Sequence, residues 1–395
     1  MLEDNVKAPA VVSEMSASDV RERVSGVFCA GSSAHPVTDD LFQADVVVAA
    51  LDNADCSGGL AEVASLNPHG VAAGIIAVCK VCGAGSVLLV LPSDAGQEVS
   101  SPIVEAVGKA GFEVTVEVNN MVSAHAHERD VKVHLVTLAA MADALVGSGP
   151  QAVVVTADGL ACVPFGTSLR DVVPAADACF LCVNHTLYPA TILDEPLPAT
   201  LALGDGTIRA YGEDDCVVQA VCEQVGVLRE KSCGTCTFCR EGLYQLETTF
   251  KAVTLARGKA SDLDVARELC EAMPHSTLCS LGQVACHPAQ SALDMFADEV
   301  EAHLRKKTCP SGACKAFLKY YVDPSLCEGC GDCIDACPQG CIDGRDGFIS
   351  MIDEFGCDSC GACLEACPEG AIKRVEGRTP PLPERLTRVG RFRRR

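Results

Sequence analysis

Residues 327–338 read CEGCGDCIDACP, and residues 357–368 read CDSCGACLEACP. Both segments follow one pattern, Cys-x2-Cys-x2-Cys-x3-Cys-Pro, and they begin 30 residues apart. Three thiols at every third residue can wrap one metal cluster, and the proline turns the chain away after the fourth thiol. Two complete copies of so specific a pattern do not arise by chance. This stretch therefore decides what the C-terminal part of the chain binds.

The repeated run is the bacterial-type ferredoxin signature for two 4Fe-4S clusters, in which the fourth thiolate of each run crosses to the other cluster. We predict that one cluster is held by Cys327, Cys330, Cys333 and Cys367. We predict that the second is held by Cys357, Cys360, Cys363 and Cys337. A chain with these ligands is expected to carry electrons.

The composition fits a large metal-binding protein that works in a reducing compartment. The chain has 395 residues, 26 cysteines and a net charge of −22, which argues against nucleic acid as the main partner. Residues 1–14 lack the basic and apolar segments of a signal peptide, and no apolar run reaches the roughly 18 residues of a membrane span. We therefore expect a cytoplasmic protein whose thiols stay available as ligands.

A third group of cysteines precedes the ferredoxin-type runs. Residues 232–240 read SCGTCTFCR, so Cys233, Cys236 and Cys239 present three thiolates at the same spacing. Cys279, in the segment TLCSLG, can supply the fourth thiolate. The sequence therefore predicts a third 4Fe-4S cluster, and twelve cysteine ligands in all.

SCGTCTFCREG followed by TLCSLG resembles the cluster-bearing region of the flavoprotein subunit of respiratory complex I. It also resembles the β subunit of electron-bifurcating NAD-dependent hydrogenases, which likewise carries a C-terminal two-cluster ferredoxin segment. Upstream, VPFGTSLRD resembles the β-grasp module of that family, and Asn67-Pro68-His69 resembles the DPH pattern of its flavin domain. The resemblance implies an α/β fold with a Rossmann-like flavin domain, a soluble-ligand-binding β-grasp module, a helical cluster-binding bundle and a ferredoxin domain.

The resemblance and the sequence pattern together divide the chain into five parts. We assign 1–148 to a degenerate flavin domain, 149–212 to the β-grasp module, 213–307 to the helical bundle, 308–376 to a zinc junction with the ferredoxin domain, and 377–395 to a disordered or partner-wrapping basic tail.

Secondary structure follows from the apolar spacing. After a loose polar start, a helix is expected to begin near Ser16. Strands at 45–51, 86–91 and 113–118 alternate with helices at 68–81 and 102–110, which predicts a parallel sheet with helices on both faces. Later segments are predicted as short strands at 152–156, 160–164, 178–183 and 208–210, and as helices at 217–225, 244–256, 262–273 and 290–304.

The flavin domain departs from the family at both of its cofactor loops. Family members hold the FMN phosphate with the loop GRGGAGFPTG, whereas residues 25–36 here read SGVFCAGSSAHP. The acidic loop that begins NAD in the family continues here as Cys56-Ser57-Gly58-Gly59, without its glutamates. Because both loops have changed, we expect neither FMN nor NADH to bind.

A fourth metal site is predicted where the helical bundle meets the ferredoxin segment. Cys216, His303, Cys309 and Cys314 offer three thiolates and one imidazole, the ligand set of a closed tetrahedral zinc site. The arrangement resembles that of bifurcating-hydrogenase β subunits, which have a zinc near the corresponding junction. The alternative interpretation is that Cys216 packs in a core and His303 lies on a helix surface. The remaining cysteines fit core packing better than ligation, although Cys341 lies near enough to a cluster to tune it.

Three functions compete on these observations. The first is an iron–sulfur relay subunit of a larger oxidoreductase, whose partners are other subunits such as a flavoprotein or a hydrogenase-like or formate-dehydrogenase-like module. The second is an active NADH dehydrogenase subunit with FMN in an altered cradle. The third is a structural subunit held by zinc and the basic tail. We favour the first, because a scaffold needs none of the twelve cluster ligands.

Overall fold

The computed structural model describes residues 4–29, 35–50, 54–91, 97–118, 129–173, 177–197, 201, 203–376 and 379–392. The chain divides into two compact units. The first comprises 1–213, 223–247 and 265–295, and the second comprises 214–222, 248–264 and 296–395. This division passes through three helices, so the domain boundaries drawn from the sequence stay predictions.

A four-stranded parallel sheet lies at the centre of the first unit. Its strands, in the order β3-β2-β1-β4, are β1 (Val46–Ala50), β2 (Ser86–Leu91), β3 (Glu113–Val118) and β4 (Val131–His134). The parallel sheet is confirmed, and the first three strands stand where the sequence predicts them. The fourth strand is not predicted, because four residues are too short to show a strand period.

Six helices accompany this sheet, and α4, α5 and α6 pack against it directly: α1 (Ala8–Glu14), α2 (Ala17–Arg23), α3 (Gly59–Leu66), α4 (Pro68–Cys82), α5 (Gln97–Lys109) and α6 (Leu135–Val146). All six contribute to one core cluster with Val47, Ala49 and Leu89. The opposite face of the sheet carries a small cluster of Val48, Ala50 and Val90. Among the described residues, the expected helices on both faces are therefore replaced by helices on one face.

Local chemistry fixes the central helix α4. The Asn67 side chain accepts a hydrogen bond from the backbone N–H of Gly70, and Pro68 occupies the first position, where its missing N–H costs nothing. A Cβ at Gly74 would overlap the backbone of Leu138, so glycine lets α4 and α6 approach closely. Two sequence expectations are corrected nearby. The N-terminal segment expected to be loose contains α1, and α5 begins five residues before its predicted start, with Pro102 inside it.

The rest of the first unit contains short strands and helices. The strands β5 (Gln151–Thr156) and β6 (Gly159–Pro164) form a hairpin, and a helical turn, α7 (Leu169–Val172), follows. The strands β7 (Phe180–Val183), β8 (Thr186–Pro189) and β9 (Ile208–Tyr211) form an antiparallel sheet in the order β8-β7-β9. The β-grasp identity of this module remains a prediction.

Helices follow to residue 306, as the apolar spacing predicts. They are α8 (Val217–Lys231), α9 (Thr237–Thr254), α10 (Ala260–Ala272), α11 (Ser280–Val284), α12 (His287–Met295) and α13 (Ala297–Glu301). The helix expected over 290–304 is interrupted, and its end is a π-helical turn, Ala302–Lys306. No helix in the described part of the chain is long and apolar enough to cross a membrane.

The ferredoxin-like segment lies in the second unit. Its elements are β10 (Leu318–Val322), α14 (Asp332–Asp335), β11 (Ile342–Asp343), β12 (Met351–Ile352), α15 (Ala362–Ala366) and β13 (Ile372–Glu376), with β10 antiparallel to β13. The C-terminal tail departs from its expected disorder over 379–392. Backbone hydrogen bonds from Ile349 to Thr387 and from Val389 to Gly347 attach it to this segment.

Candidate iron–sulfur and metal sites

The first predicted ferredoxin-type site is assembled in space. Burial raises the pKa of the Cys333 thiol, and the nearby thiols of Cys327, Cys330 and Cys367 raise it further, while the Ser350 hydroxyl donates a hydrogen bond that opposes this. These four cysteines line one cavity. The fourth thiol of the second run thus lies beside the first three of the first run. This crossing is the arrangement that the ferredoxin signature requires.

The second ferredoxin-type site is built in the same way. Burial raises the pKa of Cys363 to about 11, with added contributions from Cys357, Cys333 and Cys360. The Cys337 and Cys341 thiols lie 3.4 Å apart. The nearby Cys357 thiol contributes to raising the pKa of Cys341. Cys341, which the sequence predicts as a packing residue near a cluster, thus lies next to two predicted ligands. Its position four residues after Cys337 is the signal that marks it.

The third group of cysteines also comes together, in the first unit. Burial raises the pKa of Cys239, and the thiols of Cys279, Cys236 and Cys233 contribute in the same direction. The helix α9 begins at Thr237, and Cys279 is the residue before α11. The loop between these cysteines is held by Arg240, whose guanidinium donates to the Gly234 carbonyl at 2.8 Å. Four thiols, the first and last of which are 46 positions apart in the sequence, thus lie close together.

The four residues of the predicted zinc site are buried and adjacent in the second unit. The ligand atoms of Cys216, His303, Cys309 and Cys314 all lie within 4.8 Å of one another. His303 Nε2 lies 3.3 Å from Cys216 Sγ and 3.6 Å from Cys314 Sγ, and these two sulfur atoms are 3.6 Å apart. His303 is fully buried, so it does not lie on a helix surface. The group has the donor types and closeness of a Cys3His site.

The π-helical turn at 302–306 orients the histidine of this group. His303 Nδ1 donates to the Glu299 carbonyl at 2.7 Å, which leaves Nε2 facing the thiols. Metal-bound histidines are commonly fixed by such a hydrogen bond from the other ring nitrogen. Hydrogen bonds from the Cys216 and Cys314 thiols hold the pKa of Cys309 well below its ordinary value. One thiolate, the form that binds metal, is therefore favoured here.

In the described part of the stretch that replaces the family's FMN phosphate loop, two backbone amides are used within the chain. Cys29 N donates to the His35 carbonyl at 2.9 Å, and Val37 N donates to the Val27 carbonyl at 2.8 Å. These amides close a hairpin and do not point at a ligand. The Asp40 carboxylate follows this hairpin in sequence and lies 2.7 Å from His35 Nε2, where it would repel an anion. Residues 30–34 of this stretch, and Asn53 of the acidic loop, lie outside the described residues.

Three groups of four cysteines on an α/β and ferredoxin-like fold define an oxidoreductase-type iron–sulfur protein. Family comparison agrees with this class. Residues 219–303 match the NADH-ubiquinone oxidoreductase-F iron-sulfur binding region, and residues 326–372 match the 4Fe-4S dicluster domain. The resemblance to flavoprotein subunits that SCGTCTFCREG and TLCSLG carry is confirmed, and the chain contains one NADH-dehydrogenase-like iron–sulfur region and one dicluster region.

Individual relatives cover parts of the chain. It is 34% identical to NADP-reducing hydrogenase subunit HndC of Solidesulfovibrio fructosivorans, over 47% of this chain and 41% of the relative. It is 32% identical to the mitochondrial 51 kDa subunit of NADH-ubiquinone oxidoreductase of Neurospora crassa, over 26% of this chain and 21% of the relative. The chain thus spans less than half the length of these relatives.

Comparison with solved structures bears on the fold alone. A chain of the NAD+-reducing [NiFe]-hydrogenase in the H2-reduced state matches with a TM-score of 0.57 at 20% sequence identity. The match covers 75% of this chain and 65% of that chain. About three quarters of this mixed α/β chain is therefore similar in fold to a chain of that hydrogenase.

Proposed function

We propose that this protein is an iron–sulfur relay subunit of a multi-subunit oxidoreductase, with three 4Fe-4S clusters and no flavin of its own. The observation that carries the proposal is the position of Cys367 beside Cys327, Cys330 and Cys333. A thiol from the second run joins the first run only if the two runs fold around two clusters.

The three cysteine groups take defined roles in this proposal. The group Cys233, Cys236, Cys239 and Cys279 would hold one cluster, and the ferredoxin-like segment would hold the other two. Bound there, the clusters would supply one-electron transfer at low potential. The first group would be one end of the relay and the ferredoxin-like pair the other. Ser350 would tune the cluster at Cys333 through its hydrogen bond to the ligand sulfur.

The absence of a flavin follows, in this proposal, from the residues of the two altered loops. Iron–sulfur clusters cannot accept a hydride, so a chain without FMN must receive electrons singly from another subunit. The hydrogen-bonded hairpin at Cys29 and Val37 leaves those amides without free N–H groups for a phosphate. The names of the relatives, a hydrogenase subunit and an NADH-ubiquinone oxidoreductase subunit, support a partner within a redox complex.

A single structural zinc completes the proposal. Cys216, His303, Cys309 and Cys314 would bind it, and with four protein ligands it would leave no open position for a substrate. Its role would be to stabilise the fold around residues 216 and 303–314, since structural zinc contributes directly to folding free energy.

Iron analysis of the full chain tests the cluster count. Anaerobically reconstituted protein should contain about twelve iron and about twelve sulfide per chain, and Cys279→Ser should lose about four of each. Cys270→Ala is the matched control, because Cys270 is a buried cysteine of the same unit that donates to the Cys286 carbonyl and belongs to none of the three predicted cluster groups. It should keep the full iron content. A wild-type content of about eight iron or fewer would remove the cluster at Cys279 from the proposal.

A further inference from the structure

One group of potential metal ligands in the first unit shares no residue with the cysteine groups described above. The ligand atoms of Cys56, His185 and Asp205 all lie within 4.8 Å of one another. His185 is 2% exposed and Asp205 is 1% exposed, while Cys56 is half-buried. No sequence pattern indicates this group, because its members come from three separate loops.

The backbone at His185 has a conformation that is unfavourable for a side chain. Asn184 and His185 form the two-residue loop between β7 and β8, with φ angles of 49° and 63°. Such a hairpin loop strongly prefers glycine at its second position, since a side chain is strained at positive φ. Here the second position holds a histidine, and its side chain is buried although hairpin loops usually face solvent. Strain of this kind is characteristic of functional positions.

The hydrogen bonds of His185 define which of its nitrogens can bind a metal. His185 Nδ1 lies 3.0 Å from Gln224 Oε1, and an amide oxygen can only accept, so Nδ1 carries the proton. The lone pair of Nε2 then points toward Asp205 Oδ2, which lies 3.8 Å away. The other carboxylate oxygen, Oδ1, accepts from the Thr207 N–H at 2.9 Å.

Two buried acceptors therefore face each other. Within the described part of the chain, neither His185 Nε2 nor Asp205 Oδ2 has a hydrogen-bond partner. Buried acceptors without partners are destabilising, and a carboxylate is more so than a neutral group. A cation between them would satisfy both. Their separation of 3.8 Å is close to the edge of about 3.4 Å expected for two ligands on a tetrahedral ion with bonds of about 2.1 Å.

We propose that Cys56, His185 and Asp205 bind one divalent transition-metal ion of the zinc or ferrous type. Thiolate and imidazole ligands exclude calcium and magnesium, which prefer oxygen ligands throughout. Gln224 is the residue that positions His185, through the hydrogen bond to Nδ1. Three protein donors leave one position of a tetrahedral ion for water, unlike the four-ligand site at Cys216.

The rival explanation is a protonated His185 paired with the Asp205 carboxylate and no metal. Their distance of 3.8 Å is longer than a hydrogen bond between these groups, which favours the metal. The experiment below separates the two, because an ion pair without metal leaves the zinc content unchanged on substitution.

The test is zinc analysis of the full chain, loaded with its iron–sulfur clusters and dialysed anaerobically against Zn²⁺. Wild-type protein should hold about two zinc ions, with about two sulfur ligands per zinc on average in X-ray absorption at the zinc edge. Asp205→Asn, Cys56→Ser and His185→Asn should each hold about one zinc, with the average rising to about three sulfur ligands. Asparagine tolerates positive φ, so His185→Asn preserves the hairpin loop. Cys79→Ala, which removes a buried cysteine outside the group, should keep both ions.

The outcomes distinguish this site from the one at Cys216. Cys309→Ser should also leave about one zinc, but with about one sulfur ligand, because only the Cys56 site would remain. The proposal is overturned if wild-type protein holds one zinc with three sulfur ligands, or if Asp205→Asn keeps a second zinc. Unchanged iron content in each variant shows that the fold survives the substitution.

Discussion

Replacement of Cys309 by serine tests the zinc site at Cys216, His303, Cys309 and Cys314. The observed spacings of 3.3–3.6 Å are within a few tenths of an ångström of the roughly 3.6 Å edge of a tetrahedral zinc site. The ligands therefore need little movement to bind. Structural zinc in small domains contributes about 10–16 kcal/mol, so an even share among four ligands gives about 3 kcal/mol for one thiolate.

That loss should be visible in thermal unfolding. For a unit of this size, about 3 kcal/mol corresponds to a melting temperature lower by about 10 °C. The assay is anaerobic calorimetry with zinc analysis of the same samples, while cluster absorbance should stay unchanged. Cys222→Ser is the control. Cys222 lies on α8, six positions after Cys216, and does not belong to the group of four. The reasoning is refuted if the wild-type protein contains no zinc, or if Cys309→Ser has the same melting temperature as the wild type. The four residues would then be ordinary core residues.

Two further predictions concern Ser350 and His287. Ser350→Ala removes a hydroxyl that donates to the Cys333 sulfur, so the reduction potential of that cluster should fall by about 40 mV if the hydrogen bond contributes about 1 kcal/mol. A redox titration followed by electron paramagnetic resonance measures the potential, and an unchanged value would contradict the assignment. Burial lowers the pKa of His287 from 6.5 to about 4, so on acidification the unfolded chain takes up this proton at a higher pH than the folded chain. The free energy of unfolding should therefore fall as pH drops from about 6.5 to about 4, by up to about 3 kcal/mol. His287→Gln should remove this part of the pH dependence in urea unfolding, and an identical slope in the variant would show that His287 is not responsible.

Local patterns in the sequence predict much of the fold. Asn67-Pro68 predicts the start of α4 and Ser16 that of α2, because capping depends on neighbouring residues alone. The strands β1, β2 and β3 are predicted because their hydrophobic pattern is also local to each segment. The four-residue strand β4 and the helix α1 escape prediction, since they depend on packing against distant residues and have little periodicity of their own.

The candidate metal ligands likewise differ in how far the sequence predicts them. The ferredoxin-type runs predict even the crossing of Cys367 to the first site, because the spacing of the ligands is imposed by the cluster. The group of Cys56, His185 and Asp205 has no spacing signal, since three loops of the fold bring it together. The docking of 379–392 is equally hard to see in the sequence, because it combines backbone hydrogen bonds from Ile349 and Val389 with isolated contacts such as the Arg388 guanidinium over the Phe348 ring, which follow no periodic pattern.

Addition of NADH to the purified, cluster-loaded protein under argon tests the central claim most directly. A relay without flavin cannot accept a hydride, so the broad cluster absorbance should stay unchanged with NADH and bleach with dithionite, a one-electron donor. The denatured protein should release no flavin fluorescence. Rapid bleaching by NADH alone, with FMN recovered after denaturation, would contradict the account and identify an active NADH dehydrogenase subunit.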